Sequence, residues 1–410
     1  MNKMFGLLGK KLSHSLSPEI HSVFGDYEYK LFEREENELD AFFADTSIDA
    51  FNVTIPYKVE AYKRCDVLDE TARVIGSVNT VVRKGDRLYG YNTDLYGFEY
   101  MVKKLGADFT GRKVLVLGSG GASKTAVASS NRLGAKETVI ISRSGENNYD
   151  NLEKNYDAGI IVNTTPVGMF PGNGKAPLEL KYFKNIEFVI DLIYNPCMTA
   201  LLLEAKKLGI PFINGMPMLA AQALRSAEHF FSREFDNSLI DKAVKRISGN
   251  MKNIVLIGMP GCGKTTLGAY LASKAGRECV DTDDIIVQKD GRKIPDIFTD
   301  SGENYFRDIE SEAVAECGKR LGIIIATGGG AVMRETNRDA LAQNGIIIYL
   351  KCDLESLATG GRPLSAGENA VYEIFKKRKD TYENFADYII EVDRDVAITA
   401  ERLLKCVSLY

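Results

Sequence analysis

Gly258-Met-Pro-Gly-Cys-Gly-Lys-Thr265 follows the pattern Gly, four residues, Gly-Lys-Thr. Just before it, Asn253-Ile-Val-Leu-Ile257 reads as a buried parallel strand. Just after it, Thr266-Leu-Gly-Ala-Tyr-Leu-Ala-Ser-Lys274 is rich in helix formers. Strand, glycine loop and helix in that order make a phosphate-binding loop. Its glycines let backbone N–H groups turn inward around an anion, and the helix N-terminus adds a partial positive charge. Gly261, Cys262, Gly263, Lys264, Thr265 and Thr266 are the residues expected at a nucleotide. Lys264 reaches the outer phosphates and the Thr265 hydroxyl is available to magnesium.

Downstream, Glu278-Cys-Val-Asp-Thr-Asp-Asp284 reads as a strand ending in acids. Carboxylates near a phosphate loop hold magnesium through water and orient an attacking hydroxyl. Without such a loop, the same cluster is a solvated turn. A helix is expected over 309–321, and the run from Gly322 to Ala331 is a strand entering three glycines, which leaves room for a ligand against bare backbone. Further strands are expected over 346–350 and 388–392, and helices over 372–385 and 397–404. Gly360-Gly-Arg-Pro-Leu364 is a hinge-like stretch with one arginine.

Upstream lies a second glycine turn, Lys113-Val-Leu-Val-Leu-Gly-Ser-Gly-Gly-Ala-Ser123, between a strand and a helix over 124–133. Such a turn cradles a dinucleotide pyrophosphate. The strand over 138–141 ends in Ser142-Arg-Ser144, where an arginine suits a 2′-phosphate better than a ribose diol. Strands are also expected over 159–164 and 188–193, and helices over 201–208, 215–231 and 235–247. Further upstream, Ser13-His-Ser-Leu-Ser-Pro-Glu-Ile-His21 is a polar loop entering a helix; its hydroxyls either cap that helix or bind a carboxylate, and propensity favours capping. Phe51-Asn-Val-Thr-Ile-Pro-Tyr-Lys58 puts Lys58 just beyond a strand that ends at Pro56. Gly76-Ser-Val-Asn-Thr80 and Tyr91-Asn-Thr-Asp94 read as turns. Ser248-Gly-Asn-Met-Lys252 reads as a short loop joining the halves.

At 410 residues the chain needs two or three domains. A net charge of -4 argues against nucleic acid and anionic membrane, which need a basic face. No apolar run is long enough to span a bilayer, and the first residues lack the apolar core of a signal peptide. Seven dispersed cysteines without a Cys-x-x-Cys pair suit reduced cytosolic thiols, and three histidines offer no metal spacing.

Ser15-Leu-Ser-Pro, Asn52-Val-Thr-Ile-Pro-Tyr-Lys, Gly76-Ser-Val-Asn-Thr, Asn92-Thr-Asp, Gly118-Ser-Gly-Gly-Ala, Asp191-Leu-Ile-Tyr-Asn-Pro and Gly215 through Gln222 together resemble shikimate dehydrogenase over 1–247. The resemblance implies a carboxylate held by Ser15 and Ser17, and a ring site lined by Thr54, Asn79, Tyr194 and Gln222. Lys58 and Asp94 would be the catalytic pair. NADP(H) would lie on Gly118, Ser119, Gly120, Gly121 and Ala122, with Arg143 on the 2′-phosphate and Glu70, Leu192 and Gly215 at the nicotinamide end. The chain departs from the family pattern in a short segment between His21 and Tyr29, in Ser142 where asparagine is usual, and in lacking the second arginine within Gly145-Glu-Asn-Asn148.

The phosphate loop, Asp281-Thr-Asp283, Phe306-Arg307, Gly328-Gly-Gly330, Arg362-Pro-Leu and Arg378 resemble shikimate kinase over 253–410. That resemblance implies ATP on the phosphate loop, magnesium served by Thr265 and Asp281, and Asp283 and Lys264 as catalytic residues. Arg307, Gly329 and Arg378 would hold the substrate, and Arg362 would sit on a lid. The expected architecture is α/β throughout: a substrate domain over 1–97 completed by helices of 216–247, a Rossmann-type domain over 98–215, a linker over 248–252, and a P-loop domain over 253–410. The expected function is NADPH-dependent reduction of 3-dehydroshikimate to shikimate, then ATP-dependent phosphorylation of shikimate, in the cytoplasm. The rival readings are an NAD-dependent quinate or shikimate dehydrogenase fused to the same kinase, and a half that senses shikimate without catalysis. Oligomeric state is not legible.

Overall fold

A computed structural model describes residues 3–13, 15–357 and 368–407. The chain divides into two compact units. The first is Met1–Val167, Ala176–Tyr194 and Glu204–Ser248; the second is Gly168–Lys175, Asn195–Leu203 and Gly249–Tyr410.

The first unit holds two sheets. One is built from β1 (Phe5–Gly9), β2 (Tyr29–Glu33), β3 (Ala50–Val53), β4 (Val67–Leu68), β5 (Thr80–Lys84) and β6 (Arg87–Tyr91), in the order β2-β1-β3-β5-β6-β4. β1 runs parallel to β2 and β3, whereas β5 is antiparallel to both β3 and β6. The ends of β1, β3 and β6 and the start of β5 therefore share one edge. Helices Asp94–Leu105 and Met216–Phe231 pack together beside that edge. The approach is close because Gly97 has no side chain: a Cβ there would lie 2.7 Å from the Met218 carbonyl.

The other sheet contains β7 (Lys113–Leu117), β8 (Glu137–Ile141), β9 (Ile160–Asn163), β10 (Phe188–Asp191) and β11 (Phe212–Ile213), all parallel, in the order β11-β10-β9-β7-β8. Strand order reverses between β7 and β9, which opens a crevice outside their carboxyl ends. The near-continuous apolar runs of these strands are what burial on both faces demands; Val114, Leu115, Val116, Ile160, Ile161 and Val162 are all fully buried.

The second unit has one parallel sheet: β12 (Asn253–Ile257), β13 (Cys279–Asp281), β14 (Ile324–Ala326), β15 (Gly345–Lys351) and β16 (Tyr388–Glu391), in the order β13-β14-β12-β15-β16. The glycine loop leaves the central strand β12 and enters helix Lys264–Ala275. Asn344, just before β15, accepts the Cys197 N–H at 2.9 Å and donates to the Gly318 carbonyl at 3.1 Å. Gln343 accepts the Met198 N–H at 2.8 Å and, through its side chain, the Asn173 amide at 2.7 Å.

Two local expectations change. Neither Ser15 nor Ser17 is the N-cap of helix Ser17–Phe24: Leu16 holds that position, and the Ser15 hydroxyl accepts the Ser17 N–H at 3.2 Å. The loop expected over 248–252 is helical through Met251. Its loop-forming residues are overridden by an apolar stripe, Ile240, Ala243, Ile247 and Met251, every one of them buried. The acids expected at the end of a strand lie there: Asp281 ends β13, accepts the Asp283 N–H at 2.9 Å and caps helix Thr282–Asp290.

Residues 249–410 expressed alone lack Asn173, Cys197 and Met198, and so lose three hydrogen bonds on Gln343 and Asn344. At about 1 kcal/mol each, the fragment is expected to melt several degrees below the corresponding transition of the full chain, as calorimetry would report. Equal transitions would show that these bonds contribute nothing.

Candidate functional site

Lys58 opens helix Lys58–Arg64 just after β3, and Asp94 opens helix Asp94–Leu105 just after β6. The shared sheet edge brings them together: the Lys58 ammonium donates to Asp94 Oδ2 at 2.7 Å, with both side chains partly open to solvent. Asn79, just before β5, donates to the other Asp94 oxygen at 2.9 Å and reaches Gln222 Oε1 at 3.5 Å. The Asn79 side-chain carbonyl accepts the Thr93 N–H at 2.9 Å, which fixes the amide so that its NH2 faces Asp94. Thr54 follows β3 on the same edge, and Ser15 and Ser17 follow β1. An ammonium held by a carboxylate at a polar, half-open edge is equipped to give a proton to a ligand oxygen.

Sequence reasoning singled out these residues but missed what supports them. Tyr29 donates to Asn52 Oδ1 at 2.7 Å, and Asn52 lies inside the Asn52–Lys58 motif. Burial drives the His21 imidazole down to about 3, so it stays neutral, and its ring stacks on Tyr29 with centroids 4.0 Å apart. Burial likewise pushes the Tyr194 phenol upward.

At the switch point, the turn after β7 enters helix Gly121–Arg132 with Gly120 as N-cap and no side chain bonded to the cap. That leaves the N–H groups at the start of the helix for an anion, as a pyrophosphate requires, while the Ser123 N–H donates to the Gly120 carbonyl at 3.1 Å. Leu192 donates to the Asn163 carbonyl at 3.0 Å, and Gly215 to the Ile193 carbonyl at 3.0 Å, closing the crevice from the β9 and β10 side. Helix Glu70–Ile75 packs against helix Gly121–Arg132. Arg143 is exposed on a loop braced from within: Asn148 donates to the Gly145 carbonyl at 3.2 Å and Asn151 to the Glu146 carbonyl at 2.9 Å.

In the second unit, Gly261 and Gly263 have φ of 87° and 88°, conformations that side chains disfavour, which is why the loop needs glycine at both places. Lys264 is buried and folded back, donating to the Gly258 and Met259 carbonyls at 3.0 and 2.9 Å. Thr265 donates to Asp281 Oδ2 at 2.6 Å. A hydroxyl and a carboxylate beside a phosphate loop are the hard oxygen donors that magnesium takes when nucleotide phosphates and water complete its shell.

A cavity of about 360 Å³ brings the loop, Asp281, Asp283, Arg307, Gly328–Gly330 and Arg378 together. Burial, with the neighbouring Asp281 and Glu310, pushes the Asp283 carboxyl up to about 6. Arg307 donates to Glu310 at 2.7 Å and to Glu303 at 3.1 Å. Burial opposes its charge, but the two carboxylates together raise the guanidinium above its ordinary value. Glu310 is raised as well, because burial outweighs Arg307 there. The Tyr382 hydroxyl donates to the Gly329 carbonyl. Glu310 and Tyr382 were not foreseen; the signal was their spacing, three residues after Arg307 and four after Arg378. Also unforeseen is a second cavity of about 150 Å³ across the loop, lined by Gly263, Thr266, Val392, Asp393 and Arg394. Arg362 lies outside the described residues.

Fold and sites define two classes in one chain: an oxidoreductase built on a dinucleotide crevice, and a phosphotransferase built on a P-loop. Residues 7–81 match the family described as Shikimate dehydrogenase substrate binding domain, and residues 260–408 the family described as Shikimate kinase. A relative from Clostridium perfringens (strain SM101), named "Shikimate dehydrogenase (NADP(+))", is 35% identical over 257 residues, covering 58% of this chain and 95% of its own length. The crystal structure of shikimate dehydrogenase 1 from Peptoclostridium difficile is 36% identical with a TM-score of 0.56, over 60% of this chain and 98% of that one. That of shikimate 5-dehydrogenase from Thermus thermophilus with NADP(H) and shikimate is 29% identical with a TM-score of 0.55, over 60% and 99%. The chain belongs to the shikimate dehydrogenase family and carries a shikimate kinase domain after it.

Arg307 is part-buried and pairs with the fully buried Glu310; without Glu310 it keeps the more exposed Glu303. Glu310→Ala is expected to destabilise the second unit by about 3 kcal/mol, and Glu310→Gln by clearly less, as urea unfolding would measure. Equal, small losses in both variants would mean that the pair is not electrostatically important.

Proposed function

We propose that this chain is a bifunctional enzyme: it reduces 3-dehydroshikimate to shikimate with NADPH, then phosphorylates shikimate with ATP and magnesium. The observation that carries the first activity is the Lys58–Asp94 contact at 2.7 Å. For the second it is the cavity uniting the P-loop, Asp283, Arg307 and Arg378. The relative from Clostridium perfringens and the NADP(H)–shikimate complex from Thermus thermophilus support the choice of substrate and cofactor.

In the first site, Ser15 and Ser17 take the substrate carboxylate, while Thr54, Asn79, Tyr194 and Gln222 hold the ring hydroxyls. NADPH supplies the hydride when bound, on Gly118–Ala122, with Glu70, Leu192 and Gly215 at the nicotinamide end and Arg143 on the 2′-phosphate. Lys58 gives its proton to the substrate oxygen as that oxygen gains charge, and Asp94 keeps the ammonium aimed. In the second site, Arg307 and Arg378 grip the carboxylate as guanidinium forks, and Gly329 offers backbone to the ring. ATP with magnesium supplies the phosphoryl group when bound, Thr265 and Asp281 holding the metal. Asp283 accepts the proton of the attacking hydroxyl; Lys264, now on the loop carbonyls, and Arg362 would hold the phosphates of bound ATP. The cavity beside Gly263, Thr266 and Arg394 takes the nucleotide base.

We assign the substrate domain to 1–97 with helices of 216–247, the dinucleotide domain to 98–215 and the kinase to 253–410, joined through 248–252. The partners are small molecules, with no nucleic acid or membrane among them, and the compartment is the cytoplasm. The cysteines are all free, and among the described residues no helix is long and apolar enough to cross a membrane.

Lys58→Ala is expected to lower dehydrogenase kcat/KM by roughly a hundredfold or more and leave kinase kinetics unchanged. Asp283→Asn should do the reverse, with ATP affinity by calorimetry intact. Near-normal turnover in either variant sinks that assignment. Arg143→Ala should raise the KM for NADPH far more than for NADH, since only NADPH offers the 2′-phosphate; equal losses would remove Arg143 from that role.

A further inference from the structure

Ser226 is fully buried on helix Met216–Phe231, one turn beyond Gln222. Its Oγ accepts the Asn52 amide at 2.8 Å, donates to the Gln222 carbonyl at 2.9 Å, and lies 2.8 Å from Thr80 Oγ1 and 3.1 Å from Thr93 Oγ1. These four partners are not a random set. Asn52 precedes Thr54 and Lys58 on one segment, Thr80 follows Asn79, Thr93 precedes Asp94, and Gln222 lines the ring site. Every segment that carries a proposed catalytic or ring-binding residue, apart from that of Tyr194, sends a polar group to this one hydroxyl.

Both threonines tie the Ser226 hydroxyl to Asn79. Thr80 donates to Asn79 Oδ1 at 3.0 Å and accepts from Asn52 at 3.1 Å. Thr93 accepts from Asn79 Nδ2 at 3.0 Å, and its own proton lies between Asn79 Oδ1 at 3.2 Å and Ser226 at 3.1 Å. Ser226 accepts from Asn52 and donates to Gln222, and its remaining lone pair faces the Thr80 and Thr93 hydroxyls. Replacing it with alanine leaves Asn52, Thr80 and Thr93 with other partners, so the main loss is registry between segments rather than burial of orphan polar groups.

We propose that Ser226 is a positioning residue: through Thr93 and Asn79 it sets the Asp94 carboxylate, and hence the Lys58 ammonium, against the ring site that Gln222 lines. The inference rests on the dehydrogenase reading above. A catalytic group displaced by about 1 Å loses up to a hundredfold in rate, so a looser Asp94 should cost on the order of tenfold.

The test uses the full chain and steady-state oxidation of shikimate with NADP+. Ser226→Ala should lower kcat about tenfold, with the KM for NADP+ and all kinase constants unchanged, and should enlarge the solvent isotope effect on kcat as proton transfer becomes slower. Thr93→Val keeps the shape but removes the hydroxyl that reaches Ser226, and should reproduce the same pattern if Ser226→Ala does not fold. An unchanged kcat and isotope effect in a folded variant, whatever its melting temperature, overturns the inference and leaves the dehydrogenase reading standing. A wild-type chain with no shikimate oxidation overturns that reading, and the inference with it.

Discussion

Backbone N–H groups in the first turn of a helix have no carbonyl to bond, and both nucleotide sites of this chain are built on that deficit. Gly120 and Gly263 each cap a helix without a side chain, so the cap residue's side chain does not compete for those donors. Each helix follows an interior parallel strand, β7 or β12, flanked on both sides by others. Parallel strands end on one edge, so everything else a nucleotide enzyme needs arrives on loops from neighbouring strands: Asn163 and Leu192 around the first turn, Asp281 and Gly328–Gly330 around the second.

The same carboxylic acid is recognised by two different chemistries in the two proposed sites. In the first unit the binding groups are hydroxyls at the start of a helix, and the catalytic charges form a half-open pair whose members satisfy each other. In the second the binding groups are arginines, one of them held by a buried glutamate that forms its ion pair before any ligand arrives. A part-buried guanidinium without Glu310 would be costly. Placing it there suits a site that must hold a small acid next to a highly charged nucleotide.

In the proposed mechanism Lys264 works in a geometry different from the one it holds here. Its ammonium sits on the carbonyls of its own loop, which keeps a buried charge solvated by backbone until phosphates replace them. Asp283 is in a comparable position: burial beside Asp281 and Glu310 lifts its carboxyl toward neutrality, the direction that suits a group taking a proton from a hydroxyl.

The glycine turns, their flanking strands and helices, and the residues adjoining them were legible in the sequence, because each is a local arrangement in which spacing and conformation are set by near neighbours. Lys58, Asp94, Asp283, Arg307 and Arg378 were legible only as members of motifs, and their meeting at sheet edges is a matter of strand order. What stayed hidden was non-local. The helix through 248–251 forms against residue preference because an apolar stripe pulls it into a core. Ser226 looked like one more polar residue on a helix, and only the packing of two strands and the Thr93 turn onto that helix makes its hydroxyl a shared partner. Local preference acts through neighbours along the chain, whereas the satisfaction of buried polar groups is decided by segments that meet only after folding, which is why tertiary structure alone assigned those roles.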